Sequence, residues 1–182
     1  IKKDKINIIE EFLSKNTDLE NNTGLLKYLI EEYLSNADVN SACEKIKYFK
    51  KEANDNYIDK FRIYCLINEK KIEEAQLQYD LLKEKSSLDK FYNKKINYLL
   101  GYTEEIDNEV SDKNLLNFYL SHIVNTDFQY EPSLNTSKYI WRYLSAANLL
   151  SDPDSIDLDD EIKFNLYEKA AANNLYSGQE LF

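Results

Sequence analysis

The sequence predicts an all-α protein built as a stack of antiparallel helical hairpins, about 9–10 helices in a single domain over residues 1–182. Three observations carry this expectation. Apolar residues recur at the three-and-four spacing of helices with one buried face. Three glycines and two prolines in 182 residues are too few for a sheet protein rich in tight turns. The periodic stretches are separated by short polar breaks, and connections that short force successive helices to lie side by side and antiparallel.

Residues Asp4 to Lys15 carry Ile6, Ile9, Phe12 and Leu13, which predicts a helix covering the open end of the stack. A polar link from Asn16 to Asn22 leads to the central stretch, Leu25 to Lys85, in which four amphipathic segments follow one another. The first has Leu25, Leu26, Leu29, Ile30, Tyr33 and Leu34, with Thr23 placed to cap it. The second has Val39, Ala42, Cys43, Ile46 and Phe49. The third has Ile58, Phe61 and Cys65, reaching Ile72 only if the helix bends near Asn68, and the fourth has Ile72, Ala75, Tyr79 and Leu82.

Cys43 lies eleven residues before Asn54 and Cys65 eleven after it. At about 1.5 Å rise per residue, both sit roughly 16 Å from a turn at Asn54, hence at one level of two antiparallel helices. Facing positions of packed helices can bring Cα atoms within the ~7 Å a disulfide needs. Two states stay open: a bridge, which implies an oxidising compartment, or two reduced, buried cysteines acting as small apolar residues in a cytoplasmic protein. Two thiols and one distant histidine are too few ligands for a zinc site.

Beyond Lys85, Ser87 is the expected cap of a helix with Phe91, Ile96, Leu99 and Leu100, stopped by Gly101. The acidic run Thr103 to Ser111 has no clear period. Asp112 is the expected cap of a helix burying Leu115, Leu116, Tyr119 and Ile123. The link Thr126 to Ser137, with Pro132, is the longest irregular stretch; it reads first as a plain surface loop, with a joint at 126–137 between two halves of the array as the alternative. A helix then carries Ile140, Trp141, Leu144 and Ala147, with Trp141 as a core anchor. In Asp152 to Glu161, the oxygen donors Asp152, Asp154 and Asp157 lack the glycine and spacing of a calcium loop. Asp157 reads instead as the cap of a helix with Ile162, Leu166, Tyr167 and Ala170. Ser177 and Glu180 form a capping box before Leu181 and Phe182, a helix start with nowhere to go. With Ile1 at the beginning and no methionine anywhere, a removed signal peptide and a trimmed portion of a longer chain are equal expectations for the start, and the open helix is expected either to continue or to pack on something else.

Laying Ala42 over Ala75, 33 residues later, brings Tyr33 onto Leu66, Val39 onto Ile72, Ile46 onto Tyr79 and Phe49 onto Leu82. That pattern is similar to the tetratricopeptide repeat, an α-solenoid family, in which a small residue of the second helix lets its partner approach closely. Leu26, Leu29 and Ile30 suit the first unit, whereas Asp59, Arg62 and Ile63 depart from the pattern in the second. The resemblance covers about a third of the chain, counted over its helical-hairpin period. It implies a concave face that takes a protein or peptide, lined here by Lys27, Glu31, Lys60, Tyr64 and Asn68. A second run, Cys43 with Phe61, Arg62, Cys65, Leu66, Ala75, Leu77, Leu81 and Leu82, resembles uncharacterised exported bacterial helical-repeat proteins with a cysteine in each of two successive helices. That likeness implies an exported or periplasmic location.

A net charge of −10 disfavours nucleic acid and anionic membrane, because phosphate binding needs a basic surface. No apolar run approaches the ~18 residues of a membrane span. No glycine-rich phosphate loop, nucleophile elbow or paired-histidine metal motif occurs, so no catalytic, metal or cofactor residue is assigned. His122, the only histidine, reads as structural. Asn21 and Asn135 sit in glycosylation sequons, which matter only in a eukaryotic secretory pathway. The expected function is therefore a non-catalytic protein interaction or scaffold module. The alternatives are a superhelical accessory region of a larger exported or cell-envelope enzyme, and an all-helical enzyme in its own right.

Overall fold

The computed structural model describes residues 2–15, 23–47, 55–85, 89–133, 135–150 and 164–168. These form α1 (Lys2–Lys15), α2 (Thr23–Ser35), α3 (Val39–Ile46), α4 (Asn56–Asn68), α5 (Ile72–Lys85), α6 (Lys90–Leu99), α7 (Leu115–Val124) and α8 (Lys138–Ala146). A short helical stretch at 164–168 comes after them, and no strand occurs among the described residues.

The helices start where side chains replace missing backbone partners. Asp38 accepts from the Ser41 amide ahead of α3, and Asp55 from the amides of Tyr57 and Ile58 ahead of α4. Asp89 begins α6 by accepting from the Tyr92 amide, and Ser137 begins α8 by accepting from that of Ile140. Two expected caps move. Ser87 lies outside the described residues and Asp89 takes its role. Asn114, not Asp112, caps α7, because the Asp112 carboxylate is engaged by the Tyr130 hydroxyl at 2.8 Å.

α2 with α3 and α4 with α5 form two close hairpins. Their turns match at the 33-residue interval. Ala37 (φ 57°) and Lys70 (φ 62°) both take the left-handed conformation that closes a helix. The Ala37 amide donates to the Leu34 carbonyl and Asp38 to Tyr33, as Lys70 does to Ile67 and Lys71 to Leu66. The third stripe therefore does not bend through Asn68 to Ile72. α4 ends at Asn68 and Ile72 opens the next helix. Ala42 and Ala75 are fully buried, and a larger side chain at either would have to displace its neighbours.

Cys43 on α3 and Cys65 on α4 are at disulfide distance, with Cα atoms 5.4 Å apart, so the bridge ties the first hairpin to the second. Phe49 and Asn54, between them, lie outside the described residues. Closing this 22-residue separation is expected to stabilise the fold by about 3 kcal/mol through the unfolded chain. Replacing both cysteines by serine should lower the urea midpoint accordingly, and an unchanged midpoint would show that the bridge constrains nothing.

The chain then folds back. α6 packs on α7, and α7 and α8 pack on each other and both on α2, which also touches α1, α3 and α4. α2 is thus the central helix, with Leu26, Leu29, Ile30 and Leu34 fully buried. In a strictly one-dimensional stack each repeat would touch only its neighbours. Here the eighth helix returns to the second.

Gly101 (φ 75°) stops α6 as expected. The run 103–112 carries no regular structure and is strapped down by α6. Lys95, fully buried, donates to the Asp107 carbonyl, and both Lys94 and Lys95 pair with its carboxylate. The link at 126–137 packs on the core through two of its aromatic residues. Phe128 and Tyr130 stack edge-on against buried Phe118, at 5.5 and 4.8 Å between centroids. Trp141 is buried against Tyr167, as a core anchor should be. In α1, Leu13 is buried but Phe12 is 44 % exposed, so only part of the expected stripe covers the core. The acidic stretch 152–161 and the terminal 177–182 lie outside the described residues.

Candidate functional site

The five residues assigned to a concave face do not share one open surface. Lys27 and Glu31 project from α2 toward α4, with the Lys27 ammonium 4.6 Å over the Tyr57 ring. Burial raises the Glu31 carboxyl above its usual range, and Lys27 opposes that rise. Lys60 is bonded to the Asp89 carboxylate and sits 4.9 Å over the Tyr92 ring. Asn68 is exposed and donates to Asn40 of α3 at 3.2 Å. Tyr64 is buried, its hydroxyl 2.6 Å from that of Tyr119 and the two rings edge-on at 5.1 Å. The space in front of Tyr64 is filled by the chain's own α7.

Tyr64 and Tyr119 belong to a buried aromatic cluster that continues through Tyr143 to His122. Burial pushes all three phenols above their ordinary range, so none donates or accepts a proton in solution near neutral pH. His122 Nδ1 is 2.7 Å from the Tyr143 hydroxyl, and burial lowers its pKa. The imidazole is therefore neutral and shares a hydrogen bond with the Tyr143 hydroxyl. A histidine whose folded pKa lies below the unfolded value of about 6.5 contributes stability that is complete above that pH and lost as pH falls through the folded value. Melting temperature should accordingly fall between pH 7.5 and 5. Because His122 is the only histidine, His122→Gln should flatten that interval, and an equal slope in the variant would assign it elsewhere.

At lower pH a group of acids acts in the same direction. Glu69 is held below the usual carboxylate range by Lys71 and Lys47. In Asp89 and Asp107 burial opposes ionisation, but Lys60 with the Tyr92 amide, and Lys94 with the Glu109 amide, outweigh it.

Two surface features remain. A polar cleft of about 560 Å³ opens between the start of α6 and the segment leading into α7, lined by Asp89, Lys94, Glu109, Asp112, Lys113 and Asn114. Three of its charges are already used, Asp89 by Lys60, Lys94 by Asp107 and Asp112 by Tyr130. Nothing in it pairs a nucleophile with a base. Among the described residues, no group of three or more histidine, cysteine or acidic side chains is arranged to hold a metal. No described helix is long and apolar enough to cross a membrane.

The second feature is the outer face of α5. Its inward stripe, Ala75, Tyr79 and Leu82, is buried, yet Leu77 is 59 % and Leu81 36 % exposed. Spaced four residues apart, they form one apolar ridge on the side away from the core. Beside it a small hollow between α4 and α5 is lined by Arg62, Ile63, Gln78 and Leu81. Sequence reasoning gave these leucines no role in a site. The signal present was two large apolar residues left over once the buried stripe of the segment had been assigned.

Comparison with protein-family models, with curated proteins and with solved structures finds no match for this chain.

Proposed function

We propose that this chain is a non-catalytic interaction module that docks a protein partner on the outer face of its second hairpin. The observation that carries the reading is the Leu77 and Leu81 ridge, exposed on a helix whose opposite side is fully packed. Two adjacent leucines left in water lose stabilisation that burial would supply, roughly 25 cal/mol per Å² of apolar surface. The net charge of −10 favours a protein over a nucleic acid as the partner. The 33-residue interval and the matched turns at Ala37 and Lys70 support a degenerate tetratricopeptide-like pair in α2–α5. Its binding surface moves to the convex side, since α7 occupies the other. The Cys43 and Cys65 bridge supports an exported, oxidising location such as the periplasm.

Photo-crosslinking tests this reading. A benzoyl-phenylalanine is placed singly at Leu77, Asn68, Ile8 and Tyr102, all exposed, and the source cells are irradiated. The expected result is one discrete protein adduct at Leu77, suppressed by Leu81→Glu. Absence of a protein adduct at all four positions would overturn the interaction-module reading.

A further inference from the structure

The outer face of α5 also carries a charge pattern. At 3.6 residues per turn, Glu73, Asp80 and Glu84 fall within about 60° of Leu77 on one flank of the ridge. All three are exposed, and none of them is in an ion pair among the described residues. The other flank is different in kind, with a single exposed carboxylate, Glu74, about 60° from Leu77. There Gln78, Leu81 and Lys85 descend into the hollow against Ile63 and Arg62 of α4. The lysines of α5, Lys83 and Lys85, stand in its last turn, away from Glu73.

An apolar ridge with a carboxylate row on one side and a hollow on the other is asymmetric, and the asymmetry specifies its complement. Resting on the interaction-module reading, we propose that the occupant is a basic amphipathic helix of a partner protein. Its apolar stripe packs over Leu77 and Leu81 and across the mouth of the hollow, and lysines or arginines along a single flank face Glu73, Asp80 and Glu84. The ridge follows the axis of α5, so a second helix can lie along it with side chains interleaved at the usual 8–10 Å separation. An extended peptide adding to a sheet is not available to this fold, because there is no strand edge among the described residues. The two parts of the recognition have different jobs. The leucines supply burial, and the carboxylates fix register and exclude acidic helices.

Three labelled peptides of about 18 residues, near the length at which isolated helices hold together, test the proposal by fluorescence anisotropy on the disulfide-bonded full chain. The first has a leucine stripe with lysines on one flank. The second keeps the lysines and replaces the leucines by glutamine. The third keeps the leucines and replaces the lysines by glutamate. The first should bind at least tenfold tighter than either of the others. Leu77→Glu should weaken it at least tenfold, and circular dichroism should stay unchanged because the site is exposed. The triple variant Glu73→Lys, Asp80→Lys, Glu84→Lys should reverse the preference and select the acidic peptide. Equal binding of the first and second peptides would reduce the effect to bulk charge and overturn the proposal. So would equal binding of the first and third, or a triple variant that keeps its preference for lysine. Failure here with a crosslink at Leu77 removes only this partner chemistry, whereas no crosslink at any face removes the interaction module itself.

Discussion

Arg142→Ala is expected to cost the fold about 3 kcal/mol, the low end of what removing one partner of a buried pair costs. Arg142 Nη1 lies 2.8 Å from Glu32 Oε2 and 3.0 Å from Ser35 Oγ, joining α8 to α2 across 110 positions of sequence. Glu32 is 3 % exposed, so without the guanidinium its carboxylate stays in the interior and loses the charge that Arg142 brings to it. Arg142 itself is 17 % exposed, which keeps the expected loss at the low end. The double variant Glu32→Leu, Arg142→Leu removes both charges together and should recover most of the stability, because the penalty belongs to the stranded charge and not to the missing attraction. Urea titration of the wild type, the single variant and the double variant decides the matter. A single variant within about 1 kcal/mol of wild type, the range of exposed pairs, would mean that water already reaches Glu32.

That pair also marks the limit of what the sequence discloses. The helices themselves were legible because each segment pairs an apolar stripe with a flanking capping side chain or a polar break. The closeness of the two cysteines was legible because equal offsets on two antiparallel helices determine a common level without any knowledge of the rest of the fold, whereas the choice between a bridge and two thiols was left open. The break between α4 and α5 was harder to read. Its left-handed residue is Lys70, where glycine or asparagine would have announced the stop, and the same is true of Ala37. Gly101 does announce it, and the end of α6 is where the pattern placed it. Nothing local in Glu32 or Arg142 shows that they meet. Both are ordinary charged residues on amphipathic helices, and their contact depends on α8 returning to α2. The surroundings of Tyr64 were hidden for the same reason. Tyr64 has the place that the tetratricopeptide pattern assigns to a binding residue, but burial of Tyr64 comes from α7, more than 50 residues further on.

Phe118→Ala is expected to cost more than the loss of Arg142, about 4 kcal/mol, within the 3–5 kcal/mol typical of a fully buried phenylalanine cut to alanine. Phe118 is fully buried in α7, and three rings meet it edge-on: Phe128, Tyr130 and, at 6.0 Å, Tyr143. Two of these belong to the 126–137 link, so the cavity would open between a helix and the segment that seals it. The Tyr130 hydroxyl also donates to the Asp112 carboxylate outside the link, while its bond to Thr136 stays within it. Those are exposed or half-exposed contacts, each contributing about 1 kcal/mol at most. They cannot hold the segment against water once its two rings lose their seat. Amide exchange in the variant should therefore rise first in residues 125–133, while the α2–α3 hairpin stays protected, and global unfolding should set in at lower urea. Phe118→Leu refills most of the volume but loses the edge-on geometry, so it should fall between the two. If Phe118→Ala costs less than about 1 kcal/mol, below the range for any large core truncation, the link contributes nothing to the core. Uniform loosening of all helices would instead make the whole bundle one cooperative unit, with the 126–137 segment fully part of it.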